Sequence, residues 1–176
     1  MGKAASLLFS TSMLWFVPGL RHASGVVLEQ RKGSLVPCSI TLILLIATAV
    51  CGGLQNGKQP FRLETLLFQL TMPSISEELV FRGIMLHFLN AALGKTDNPT
   101  LRSMGWAVPV IVIWFGLGHS VYWAGNSLHI SWFLLFFTGG VGAALMYMRL
   151  VSGSILFPMI GHTLFNLTIT AVPTLR

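Results

Sequence analysis

The sequence predicts an all-α, polytopic membrane helix bundle of about six transmembrane helices, with one short in-plane or re-entrant helix beside them. Three observations predict it. Of 176 residues, 53% are hydrophobic and only 9% charged, against roughly 25% charged in a soluble domain. Mean hydropathy is +0.74. The apolar residues fall in runs near the roughly 20 residues that a helix needs to cross the hydrocarbon core, with short polar or Gly/Pro-containing breaks between them. The formal charge of +6 is scattered over those breaks and reads as loop anchors and contacts to anionic lipid. No basic cluster points to nucleic acid. The chain reads as a single membrane-embedded domain over residues 1–176, in the cell (inner) membrane of a prokaryote.

Ala4 to Leu20 is the first apolar run, preceded by Lys3. It reads as a retained span, because Pro18-Gly19 and Arg21-His22 follow it and the small residues at 23–25 make a poor cleavage site. A polar loop reaches Gly33, and Leu35 to Leu54 is the second span. Cys38 and Cys51 both lie in it, about 20 Å apart along a helix, too far to bridge. Phe61 to Met72 carries Arg62, Glu64 and Gln69 and is too short to cross, which suggests the in-plane or re-entrant helix. Pro73 should break it. A helix from Ser74 to about Leu93 follows, then a polar loop from Lys95 to Arg102. Met104 to Trp123, Ile130 to Leu150 and Ser154 to Val172 are the remaining spans, with Gly125-Asn126 as a turn. Gly139, Gly140, Gly142, Ala143 and Ala144 give the middle one a small-residue face for close helix contact.

The costly residues are polar ones inside these spans. Glu77, Glu78 and Arg82 stand in one apolar helix, and such residues persist in a membrane where they pair or carry function. Glu78 and Arg82 share a face, acid before base, the better order for an ion pair. Glu77 is rotated by about 100° from Glu78 and is left to face something else. With alternating spans, Glu77 and His119 lie about 5 and 6 Å from one membrane face, Asn166 about 9 Å and His162 about 15 Å. His162 and Asn166 share one face of their helix. Three helices thus bring an acid, two imidazoles and an amide to similar depth.

Such a group suits hydrolysis of an amide within or at the edge of a membrane. A carboxylate away from bulk water can act as general base, an imidazole can orient that water or pass a proton, and an Asn amide with a second His can donate to an oxyanion. Ser74-x-x-Glu77 is also a capping-box pattern, in which the Glu merely satisfies a backbone donor at a helix start. His119 also fits an aromatic and imidazole belt at an interface, His162 a core histidine, and Asn166 an interhelical hydrogen bond.

Glu77-Glu78-x-x-x-Arg82, Phe115-x-x-x-His119 and His162-x-x-x-Asn166, each in its own predicted span, resemble the three-motif signature of the CPBP intramembrane proteases, also called the ABI or type II CAAX-protease family. The resemblance covers residues 74–166 as a catalytic core. It implies that Glu77 activates water with the help of His119, and that His162 and Asn166 form the oxyanion site. Glu78 and Arg82 would hold the structure or a substrate carboxylate, and Phe115 would pack. The implied substrate is a membrane-associated protein or peptide: a CaaX protein, a bacteriocin or leader, or a sorting signal.

No cofactor is expected on the glutamic reading. The metal-dependent variant would use Glu77, His119 and His162 as a His₂Glu set for Zn²⁺, although the usual His-Glu-x-x-His helix is absent. Two other classes share these features. A non-enzymatic immunity or scaffold protein of the same fold needs the packing residues without a free Glu77. A proton or ion carrier can also use buried Glu and His, but no paired repeat of the transporter kind is visible.

Overall fold

Apolar length and the positions of Gly and Pro decide where each helix runs. The computed structural model describes residues 2–94 and 99–175. Helix α1 (Gly2–Phe16) ends before Pro18-Gly19, and a short α2 (Leu20–Ala23) leads into a loop. Helix α3 (Leu35–Gln55) matches the predicted second span nearly residue for residue. Helix α4 (Leu63–Glu78) then passes without interruption into a π-helical segment (Leu79–Met85) and α5 (Leu86–Ala92). Helices α6 (Ala107–Ser120), α7 (Trp132–Ser152) and α8 (Leu156–Ala171) complete the bundle, and a 3₁₀ turn (Val172–Thr174) ends it. Residues 95–98 of the predicted polar loop lie outside the described residues.

The rod from Leu63 to Ala92 corrects the expected separate in-plane helix and break at Pro73. Pro73 lies inside α4, where it has no N–H to give to the Gln69 carbonyl. One lost backbone bond does not by itself end a helix in a membrane protein. The helix runs on into the next turn, where the Ser76 hydroxyl donates back to the carbonyls of Met72 at 2.7 Å and Pro73 at 3.3 Å. Ser74 is therefore mid-helix. Its oxygen accepts from the Thr163 hydroxyl of α8 at 2.6 Å, so the capping-box reading of Glu77 does not hold. Glu77 stands about 20 Å along the rod from Leu63, near the end of α4 rather than in the first turn of a new helix.

A second departure follows α6, which ends at Ser120 where the sequence suggests a span to Trp123. Val121–Ala124 and Ser127–Ile130 pair as antiparallel strands β1 and β2 around Gly125-Asn126, with Gly125 at φ +59°. The β-branched and aromatic residues of Val121-Tyr122-Trp123 suit a strand, and a two-residue Gly-Asn turn closes it. The Ser131 N–H donates to the Ser120 carbonyl at 2.9 Å and fastens the base of the hairpin. His119 consequently sits in the last helical turn before a strand.

Three apolar clusters hold the helices together. Cys38, Leu45 and Ala49 of α3 meet Val141, Leu145 and Met148 of α7 and Phe165 of α8. Leu14 and Leu20 pack on Leu79, Ile84 and Ile155, and this fixes α1 against the rod. Leu86, Ala107, Ile111, Met146 and Leu150 join α5, α6 and α7. Large apolar side chains also point outward, among them Trp15, Ile43, Trp114 and Phe136. So much exposed apolar surface marks a membrane-facing protein. Helices α3 and α7 are long and apolar enough to cross a bilayer by length and composition, while α6 is a shorter apolar helix. A count of six spans requires α1, the rod, α6 and α8 to cross as well.

Helices α6 and α7 approach so closely at Gly116 that a Cβ there would lie 2.8 Å from the Leu135 carbonyl oxygen, whereas a Cβ on Gly139 would meet nothing within 4 Å. Overpacking of a fitted contact costs about 1–3 kcal/mol. Gly116→Ala should therefore lower the unfolding midpoint in detergent, and Gly139→Ala should leave it unchanged or raise it.

Candidate active site

The rod carries two adjacent carboxylates into the bundle, and each is met by a different set of groups. Glu78 is fully buried. Its Oε1 accepts from Arg82 Nη1 at 3.1 Å, one turn along the rod, and from His162 Nδ1 of α8 at 2.7 Å. Arg82, also fully buried, donates its other terminal nitrogen to the Gly142 carbonyl at 3.0 Å. Its guanidinium lies 4.2 Å from the centre of the Phe115 ring. The backbone carbonyl of Arg82 in turn accepts from Arg149 Nε at 3.1 Å. These contacts tie the π-helical segment to α6, α7 and α8, and π segments often occur at functional sites.

Glu77 turns the other way. Its Oε1 is paired with Lys3 Nζ of α1. Its Oε2 faces His119 Nε2 at 3.7 Å and His162 Nε2 at 3.9 Å, and it is buried without a hydrogen-bond partner among the described residues. Both separations exceed a direct hydrogen bond and fall within reach of one shared water.

The protons on the two rings follow from their outer partners. His119 Nδ1 is 2.8 Å from the Phe115 carbonyl, which can only accept, so that nitrogen carries the hydrogen. His162 Nδ1 faces an oxygen that also accepts from Arg82, so it too is the donor. With neutral rings, both Nε2 atoms present lone pairs toward Glu77 Oε2. Three acceptors converge on one point. His162 spans the two carboxylates, with one ring nitrogen for each.

Phe115 is the spacer of this arrangement. Its ring centre lies 4.7 Å from that of His119, 6.0 Å from that of His162 and 5.3 Å from that of Phe81. Gly142 permits the fit, because a Cβ there would come within 2.8 Å of the Phe115 ring and 3.3 Å of Arg82. A cavity of about 440 Å³ opens over the cluster, and its lining includes Glu77, Phe115, His119, His162 and Asn166. Asn166 stands one turn beyond His162 on α8. Arg82 and Glu78 do not line it, and their contacts are with the protein rather than with the cavity.

The residues singled out in the sequence thus gather on one cavity or directly behind it, with one omission. The sequence leaves Glu77 without a partner and makes Lys3 a loop anchor. Glu77 in fact has a cation from α1. The available signal is charge balance: Arg82 can serve one of two neighbouring carboxylates, so the other needs a cation from elsewhere, and Lys3 is the basic residue that precedes the first apolar run.

The donor types of Glu77, His119 and His162 suit zinc, and a carboxylate or carbonyl on each Nδ1 is the usual support for a metal-bound imidazole. As they stand, the side chains do not fit an ion. No group of three among the described residues is spaced to hold one, and Lys3 brings a positive charge to the carboxylate concerned.

A helical bundle that gathers a carboxylate, a buried imidazole and a second, more exposed imidazole at one cleft has the build of an intramembrane hydrolase. The family model of the type II CAAX prenyl endopeptidases, Rce1-like, matches residues 59–168, and the chain belongs to that family. Membership makes it a membrane protein of a protease family whose members act on membrane-associated protein substrates. No curated protein and no solved structure matches the chain.

Breaking a buried ion pair costs about 3–5 kcal/mol, while a partly exposed pair contributes about 0–1 kcal/mol. The side chains of Arg82 and Glu78 are 1% and 0% exposed, but that of Lys3 is 42% exposed. Arg82→Met should accordingly destabilise the protein severely in a detergent unfolding assay, and Glu77→Gln should shift the midpoint little.

Proposed function

We propose that the chain is an intramembrane endopeptidase that hydrolyses a peptide bond in a membrane-associated protein or peptide, of the CaaX, leader or sorting-signal kind. Glu77 is its general base. The observation that carries this reading is the approach of His119 and His162 Nε2 to Glu77 Oε2, at 3.7 and 3.9 Å, beside a cavity that a substrate can enter.

A water donating one hydrogen to Glu77 Oε2 and the other to His119 Nε2 has its oxygen lone pair directed outward, toward a carbonyl carbon in the cavity. As the oxygen attacks, its proton passes to Glu77 and a tetrahedral oxyanion forms. Asn166, a residue of the cavity lining, is the side-chain amide that donates to that oxyanion in this scheme. His162 Nε2 can donate only when the ring carries both protons, and Glu78 beyond Nδ1 balances that charge. Glu77 then returns the proton to the departing amine, so the water is divided between the new carboxylate and the new amine. Glu78 and Arg82 act from behind, by fixing the His162 ring. No step requires a metal ion.

Cleavage of a prenylated CaaX peptide by purified protein in proteoliposomes, read by mass spectrometry of the released fragment, tests this. Glu77→Gln should lower turnover by about 10²–10⁴-fold, the usual weight of a general base. Asn166→Ala should cost about 10²–10³-fold, as for other oxyanion donors. Activity should survive chelation, with no stoichiometric zinc in the purified protein. Loss of activity on chelation, restored by zinc, would favour the metal-dependent variant with Glu77, His119 and His162 as ligands.

A further inference from the structure

We propose that Lys3 is a positioning residue for Glu77. This rests on the reading of Glu77 as the base. Lys3 lies 74 residues away in sequence and reaches Glu77 because α1 packs along the rod through Leu14, Leu20, Leu79 and Ile84. Its ammonium sits on Oε1, and the partnerless Oε2 is the oxygen turned to the two imidazoles. A carboxylate can rotate about its last bond. A cation on one oxygen fixes the plane and so the direction of the other.

Charge balance leads to the same assignment. The Glu77 side chain is 7% exposed, and a charge so far from water needs a counter-ion or a neutral form. Arg82 is already committed to Glu78, the Gly142 carbonyl and the Phe115 face. Among the described residues lining the two cavities that meet at Glu77, of about 440 and 690 Å³, Lys3 is the one Lys or Arg. Glu77 therefore works as one half of an ion pair whose other half lies on a different helix. The geometry of the base depends on where α1 sits.

A merely structural Lys3 and a positioning Lys3 differ in kinetics. Lys3→Ala should lower kcat by about 100-fold, the cost of a small misplacement of a reacting group, with KM changed by less than about threefold. Lys3→Arg should keep most of kcat, since it retains a cation of similar reach. Ethylammonium added to Lys3→Ala should restore turnover in a saturable way, which a packing defect would not allow. The assay is the prenylated CaaX peptide in proteoliposomes, with Glu77→Gln run in parallel. A Lys3→Ala enzyme that turns over as fast as wild type, or faster, while Glu77→Gln is inactive, overturns the assignment of Lys3 alone. Equal loss in Lys3→Ala and Lys3→Arg without amine rescue also overturns it. An active Glu77→Gln removes the base itself, and the role of Lys3 with it.

Discussion

A carboxylate inside a lipid-facing bundle must be balanced by a cation that reaches it from within the protein. Two such carboxylates, neighbours on one helix, impose this constraint twice over. Glu78 is balanced by Arg82 on its own helix and held by His162 from α8. Glu77 is balanced by Lys3 from α1. The rest of the bundle serves these two arrangements. The π-helical segment sets Arg82 beneath Phe115, α7 supplies the Gly142 carbonyl and the space beside it, and α8 places one imidazole between both acids.

The division between the acids is also a division of labour. On the Glu78 side, Oε1 accepts from Arg82 and His162, and Arg82 also donates to the Gly142 carbonyl, while Glu78 Oε2 and Arg82 Nε are buried without a hydrogen-bond partner among the described residues. The Glu77 side is left open. Its second oxygen and two imidazole nitrogens all present acceptors to a common point, an arrangement that is unfavourable until a donor arrives between them. A water with two hydrogens is such a donor, and the proposed mechanism uses it as the nucleophile. The stable pair orients the reactive group, and neither acid could exchange roles with the other.

Much of this is legible in the sequence. Apolar run length places α3, α7 and α8 within about two residues at most ends, because a backbone in lipid must bond to itself and an apolar surface must cover it. The helical spacing of Glu78 with Arg82 and of His162 with Asn166 identifies shared faces correctly. Compensation from elsewhere in the chain is what local sequence does not weigh. Pro73 looks like a break until the rod is laid against α8, where the Thr163 hydroxyl donates to Ser74. Residues 121–123 look like the end of a span until their pairing partners at 128–130 are known. Lys3 looks like an interfacial anchor until α1 is laid against the rod. Each depends on a contact between residues whose proximity the local pattern does not encode.

The central claim is that Glu77 and His119 act on one shared water rather than separately, and a double-mutant cycle on turnover tests it most directly. If they share it, Glu77→Gln combined with His119→Ala should be scarcely slower than Glu77→Gln alone, as is usual for residues that work as a unit. Single losses that multiply in the double variant would mean that the two groups act independently, and would contradict the account.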